Sequence, residues 1–463
     1  MALGRRKRER QEELWIAAQD VPQPPGHPFY RKLNELLAEA EFDERVESIC
    51  ASFYAGHRGR PGIPPGVYFR MLLIGYFEGI DSQRGIAWRC ADSLSLKSFL
   101  GYSLAESTPE HSSLTVIRKR LPLEIHEQVF ALVLKIAQVK KLIKGKAVAV
   151  DATLLEANAA MKSIVRRDTG EDWKEYLRRL MAAEGIEDPT DEEIRRFDKK
   201  RKGKKVSNQD WVSPTDPDAR IMKMKDGRTH LAYKAEHAID LDSGLLLAAT
   251  IHHGDRADSE SLPESLVTSQ ANLLLSGSDT EIRNVPADKG YHKTEMLAWC
   301  RRFGIRTYIP ERESKMKRTW TDKPAEWREA YYENRRRVRG RRSKRLQRLR
   351  SEYVERSFAH VCETGGARRS WLGGVVDVGK RYLMYAAGHN LGVVMRTLFG
   401  QGTPRGLQAK AGAGLAAFAA PSGPLASLMA ACRRVVTAVT QISGIDAAEL
   451  RTPRFAAAPA LAA

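Results

Sequence analysis

The chain has 463 residues, 42% of them hydrophobic, which is enough to fill the cores of two or three domains. Its 76 Lys and Arg exceed its 57 Asp and Glu by 19, so a polyanion is the expected partner and an acidic ligand surface on the protein is not. No apolar run approaches the roughly 18 residues of a spanning helix, and the basic start MALGRRKRERQEELW has no apolar stretch behind it; a cytoplasmic protein without membrane contact is expected.

In chain order, residues 1–27 form a basic tail, and residues 28–142 show apolar residues every three or four positions, broken by HRGRPGIPPG and ESTPEHSS. That spacing predicts a domain of short helices. With Arg118, Lys119 and Arg120 in one helix it suits a DNA-reading module, and it suits an ordinary basic surface about as well.

From residue 143 the period changes. KAVAVDAT predicts a strand over 146–153 that ends at Asp151, with Val148 and Val150 on one side and Ala147, Ala149 and Asp151 on the other. GRTHLAYKAEHAIDL and GLLLAATIHHG, joined by DSG, predict a hairpin. A helix (SESLPESLVTSQANLLL), a short strand ending at Asp288 (NVPAD), a helix (KTEMLAWCRRFG) and a strand (IRTYIP) follow. Strands alternating with helices make residues 143–400 an α/β domain. A polar insertion at about 160–222 containing DKKRKGKK has the composition of a solvated charged segment.

The run NRRRVRGRRSKRLQRLR, residues 334–350, contains ten Lys or Arg and no acid. A merely solvated helix face would mix in acids, so Arg335, Arg336, Arg337, Lys344 and Arg345 are candidate phosphate contacts. The run leads into the helix SEYVERSFAHV. Taking Val354, Phe358 and Val361 as its apolar stripe places Glu355 about a quarter turn from the stripe's centre and Glu352 nearly opposite it. Residues 401–463 are Ala- and Gly-rich and carry no expected function.

Five cysteines, Cys50, Cys90, Cys300, Cys362 and Cys432, form no CxxC pair, and no Cys/His cluster has metal-ligand spacing. A bound metal would therefore be held by carboxylates, which favours Mg2+ or Mn2+. Asp151, Asp288 and Glu355 are the candidate set. Taken singly, each is an ordinary strand-end, turn or surface acid. Together they suit two-metal phosphodiester chemistry. Two such charges about 4 Å apart repel by about 4 kcal/mol at an effective dielectric of 20, which a cation would relieve.

The motifs VAVDATLLEANA, GRTHLAYKAEHAIDLDSGLLLAATIHHGDRADSESL, VPADKGYHKTEML and YVERSFAHVCETGGARRSW are similar, in this order, to those of bacterial insertion-sequence transposases with an RNase H-like DDE core. The resemblance implies that Asp151, Asp288 and Glu355 are the catalytic, metal-holding triad. It implies that 28–142 recognises transposon ends, and that the active form is a homodimer or larger on double-stranded DNA, both terminal inverted repeats and target. Lys289, Tyr291 and Arg356 become candidates for positioning that DNA. Many relatives place Tyr, Arg and Lys at seven and four residues before and seven after the glutamate. Here those positions hold Arg348, Ser351 and Cys362, with Arg368 and Arg369 offering positive charge later. A metal-dependent nuclease without joining, or a DNA-binding descendant acting as a repressor, are the alternatives.

Overall fold

The computed structural model describes residues 26–55, 62–201, 207–313 and 318–406. Most of the expected basic tail, the C-terminal segment from 407 with Cys432, and part of DKKRKGKK lie outside the described residues. The described residues up to Pro404 form one compact unit.

The N-terminal segment is helical as its period implies: α1 (Pro28–Glu39), α2 (Phe42–Cys50), α3 (Pro65–Glu78), α4 (Gln83–Ala91), α5 (Leu94–Phe99), α6 (His111–Arg120) and α7 (Leu123–Val139). α1 starts on a proline, with the His27 imidazole accepting from the Phe29 amide, and buries Phe29, Tyr30, Leu33, Leu36 and Leu37. α3 is buried from Gly66 to Phe77 because α2, α4 and the C-terminal helix surround it. It ends at Gly79, whose φ of +69° suits glycine.

The sheet follows. β1 (Val148–Glu156) runs antiparallel to β5 (Thr229–Asp240), from Val148 opposite Asp240 to Glu156 opposite Ala232. β6 (Leu246–His253) lies on the far side of β5 as the expected hairpin, and β4 (Arg220–Lys223) continues that edge. β7 (Asn284–Pro286) and β8 (Arg306–Tyr308) pair in parallel. Parallel bridges Ala147 to Asn284 and Val150 to Ala287 attach β7 to the free edge of β1. The strand order is therefore β6-β5-β1-β7-β8, with only β5 opposed to its neighbours.

Period two along β5 decides what each face meets. Lys234 and Glu236 reach α10 (Asp258–Leu275), whereas His237 hydrogen-bonds Ser357 of α13 (Arg341–Phe358) and Tyr382 of α14 (Val375–Phe399). α11 (Thr294–Arg302) and α12 (Ala325–Val338) pack beside β8. Asn390 of α14 brackets the Leu246 amide and carbonyl at 2.8 Å each, which satisfies the backbone groups of the first residue of β6.

α14 also packs on α3 and α7. A Cβ at Gly388 would lie 2.5 Å from Tyr76, so glycine is what allows α14 and α3 to approach. The helical segment thus shares a core with the sheet and does not stand apart at residue 142.

Two expectations need correction. β1 does not end at Asp151: it runs five residues further because β5 pairs with it to Glu156. The insertion is also not merely a solvated charged segment. It folds into α8 (Trp173–Ala183) and α9 (Asp191–Lys200), with short strands β2 (Val165–Arg166) and β3 (Trp211–Val212). Leu177, Met181 and Ile194 form its core, flanked by Trp173, Tyr176 and Phe197. The signal was present in the sequence as two capping boxes, Asp172 with Glu175 and Thr190 with Glu193.

Candidate active site

Asp151 sits mid-strand on the α13 face, and the bridge between Val150 and Ala287 brings Asp288 level with it on the neighbouring parallel strand, a spacing of about 4.8 Å between backbones. Asp151 is half-buried and Asp288 is exposed at the start of a 3-10 turn, Lys289–Tyr291. Burial raises the Asp151 carboxyl above the usual range. The Arg350 guanidinium and the Ala152 amide act against that rise, and the nearby Asp288 and Asp258 carboxylates add to it.

Arg350 is held in place by a network. Its Nη1 donates to Asp151 Oδ2 at 2.6 Å and its Nε to Gln347 Oε1 at 2.8 Å. Gln347 in turn donates to the Ala287 carbonyl at 3.2 Å and the Tyr308 carbonyl at 2.5 Å. One turn of α13 thereby ties together the ends of β7 and β8 and sets a cation on Asp151.

Glu355 does not join this group. It is exposed, about 7.5 Å further along α13 than Arg350 and about 140° further round. Val354, Phe358 and Val361 are all buried, as the expected stripe requires, with Val361 in a π-helical segment, Ala359–Thr364, and the buried face of α13 also takes in Ser343, Leu346 and Ser357. Arg356 likewise faces away, paired with Glu352 at 2.6 Å over the Tyr353 ring. Among the described residues, no three His, Cys, Asp or Glu side chains stand close enough together to hold a metal ion.

Sequence reasoning missed Asp258, the first residue of α10. A Cβ at Gly290 would lie 2.5 Å from its carboxylate, so the glycine of the DKGY turn lets Asp258 rest against the turn that carries Asp288. Lys234, almost fully buried, pairs with Asp258 at 2.8 Å. Behind them Glu236 is a buried carboxylate raised by desolvation. It accepts from Ser261 at 2.6 Å, from Ser265 and from Tyr291 at 2.8 Å. Arg312 was missed too, and it donates to the Lys289 and Gly290 carbonyls at 3.1 and 2.6 Å. A cavity of about 790 Å3 opens here, lined among others by Thr153, Lys234, Asp258, Arg312 and Arg368. Arg368 donates to Thr153 Oγ1 and the Leu154 carbonyl, both at 3.2 Å, while Arg369 lies 3.9 Å from Glu156.

The candidate DNA contacts divide by exposure. Arg118 is buried and pairs with Asp377 at 3.2 Å, and Tyr291 is buried on Glu236, so neither is presented to a ligand at the surface. Arg337 is half-buried, with its Nε on the Thr307 carbonyl at 3.0 Å, and Arg335 pairs with Glu311 at 3.2 Å. Lys119, Arg120, Lys289, Arg336, Lys344 and Arg345 are exposed. No helix among the described residues is long and apolar enough to cross a membrane.

The family model described as "Transposase DDE domain" matches residues 147–387, more than half the chain, and the one described as "Transposase domain (DUF772)" matches residues 18–120. No curated protein matches the chain. The larger match spans β1, the hairpin, the DKGY turn and α13, the elements that carry or border Asp151, Asp288 and Glu355. The chain therefore belongs to the insertion-sequence transposases of the DDE-domain family.

Proposed function

We propose that this transposase cleaves the ends of its element and joins the freed 3′-hydroxyls to target DNA on an RNase H-like core. The strand order with one opposed strand supports the core, and the level pair of Asp151 and Asp288 carries the chemistry. Two carboxylates on adjacent parallel strands present hard oxygen donors, and Asp151 already accepts a cation at 2.6 Å, so the pair fits Mg2+ or Mn2+. Glu355 is the third ligand in this reading on the family motif alone; exposed and about 140° round α13 from Arg350, it reaches the pair only through a movement of α13 or of its own side chain when metal and DNA bind. When bound, the metal pair supplies an activated water or 3′-hydroxyl and charge stabilisation on the leaving oxygen.

The chain's own groups do the positioning. Arg350 balances the Asp151 charge and, through Gln347, holds the strand ends in register. Arg312 fixes the Asp288 turn, and exposed Lys289 stands beside it to meet a phosphate. Lys234 neutralises Asp258, which makes Asp258 a support of the turn and not a ligand. Two copies, one at each transposon end, complete the reading.

The test uses DNA carrying the element's terminal repeats, with target DNA, in Mg2+. Cleavage and joined product are both expected; cleavage alone would leave a nuclease. Glu355→Gln is expected to lose cleavage, whereas Glu352→Gln, paired only with Arg356, retains most of it. Full activity of Glu355→Gln with loss in Asp258→Asn would transfer the third place to Asp258.

A further inference from the structure

At the other end of the same strands lies a second cavity, of about 910 Å3. Cations from four separate chain segments converge on it: Lys146 just before β1, Arg283 just before β7, Arg306 at the start of β8, and Arg341, Arg342 and Arg345 from the first turns of α13. Its acids are Asp242 and Glu281. Glu281 pairs with Arg283 at 3.4 Å, with both side chains largely exposed, a contact of little energetic weight. The other five cations have no carboxylate partner among the described residues.

The first turn of α13 has no acid and its N-cap, Gly340, has no capping side chain. Cations placed there oppose the positive end of the helix dipole and one another. Among the described residues the cavity's acids, Asp242 and Glu281, are fewer than its six cations, so further compensating charge would come from outside. Phe303, 65% exposed, adds an aromatic ring to the lining.

We propose that this cavity grips the backbone phosphates of double-stranded DNA, without reading sequence, away from the scissile bond. Ala147 at the cavity is four residues before Asp151, about 13 Å along β1, which corresponds to about four base-pair steps. A duplex lying along α13 would touch both ends of the sheet. The basic run expected to contact phosphates thus serves the end of the sheet away from Asp151 through Arg341, Arg342 and Arg345, while Arg335 pairs with Glu311 and Arg337 bonds the Thr307 carbonyl. The proposal rests on the DNA-cleaving reading above.

The experiment measures the binding of the full chain to random-sequence duplex as a function of salt. Replacing Arg306, Arg342 and Arg345 together by Gln is expected to make the slope of log Kobs against log salt shallower by about 2.7, at about 0.9 per phosphate contact. The triple Lys variant is expected to keep most of the slope. A control replaces Lys174, Arg178 and Arg196 by Gln. None of these lines the cavity, so the slope is expected to stay unchanged. If the first triple misfolds by circular dichroism, Arg342→Gln alone is expected to change the slope by about 0.9. A steep wild-type slope that the cavity variants leave intact overturns the site and spares the DNA reading. An equal loss in the control reduces the effect to net charge and also overturns the site. A wild-type chain that binds no DNA overturns both.

Discussion

Asp151→Asn and Asp288→Asn are each expected to lower Mg2+-dependent end cleavage on the order of 10^4-fold, the scale of loss when one member of a catalytic unit is removed. Binding to end DNA is expected to stay within a few fold. The two properties separate because the level pair serves the chemistry, whereas phosphate contacts are spread over exposed cations. Stability supplies a second readout. Burial is the largest influence on the Asp151 carboxyl and raises its pKa, so the folded state holds that proton more tightly than the unfolded chain does. Above the raised value the charged carboxylate costs stability, and the cost develops as pH rises from the unfolded range. Asp151→Asn is therefore expected to be at least as stable as the wild type at neutral pH. Cleavage at wild-type rates in either Asn variant would remove these residues from the mechanism.

Acid is expected to unfold the protein steeply just below neutrality. His126, His237 and His389 are buried and neutral, with desolvation lowering His126 to about 4, His389 to about 3 and His237 well below its ordinary value. The unfolded chain takes up these protons near pH 6.5 and the folded chain does not. Stability present above 6.5 is lost as pH falls towards the depressed values. Each histidine contributes about 1.4 kcal/mol per pH unit, so the three together give about 4 kcal/mol per unit once well below 6.5. The buried carboxyls of Glu236 and Asp240, whose pKa values are raised by desolvation, oppose this as they begin to take up protons on the folded side. Urea midpoints measured from pH 7 to pH 5 test the slope. A flat profile would mean that these imidazoles are not held neutral. His237 matters most for the site, because it sits between Ser357 of α13 and Tyr382 of α14 and stacks on Phe358 with ring centres 4.0 Å apart.

The legible part of this protein was the part written in local periodicity. The helical character before β1, the β5–β6 hairpin and the alternation that follows it are visible because apolar residues recur every three or four positions or every second one. Asp151 and Asp288 stood out as candidates because an acid after a short apolar run asks for a partner, and the fold sets them level on neighbouring strands. The capping boxes of α8 and α9 were equally local; only the charge of DKKRKGKK masked them. What no window of sequence contains is which distant segments meet. The level placement of Asp288 with Asp151 depends on β7 docking on the free edge of β1, although Asp288 comes 137 residues after Asp151 in the chain. The same docking turns Tyr291 inward onto Glu236, and the α6–α14 contact turns Arg118 inward onto Asp377, so two residues that looked like DNA contacts became interior partners. Asp258 and Arg312 enter the site by contacts of the same kind. The face that α13 turns to the sheet was decided by its docking on β1, β7 and β8, which put Arg350 on Asp151 and left Glu355 exposed. Residue type and local period thus determined the elements and the kind of chemistry, while long-range packing, whose partners are chosen by shape and by satisfying buried charge, decided which side chains share the site.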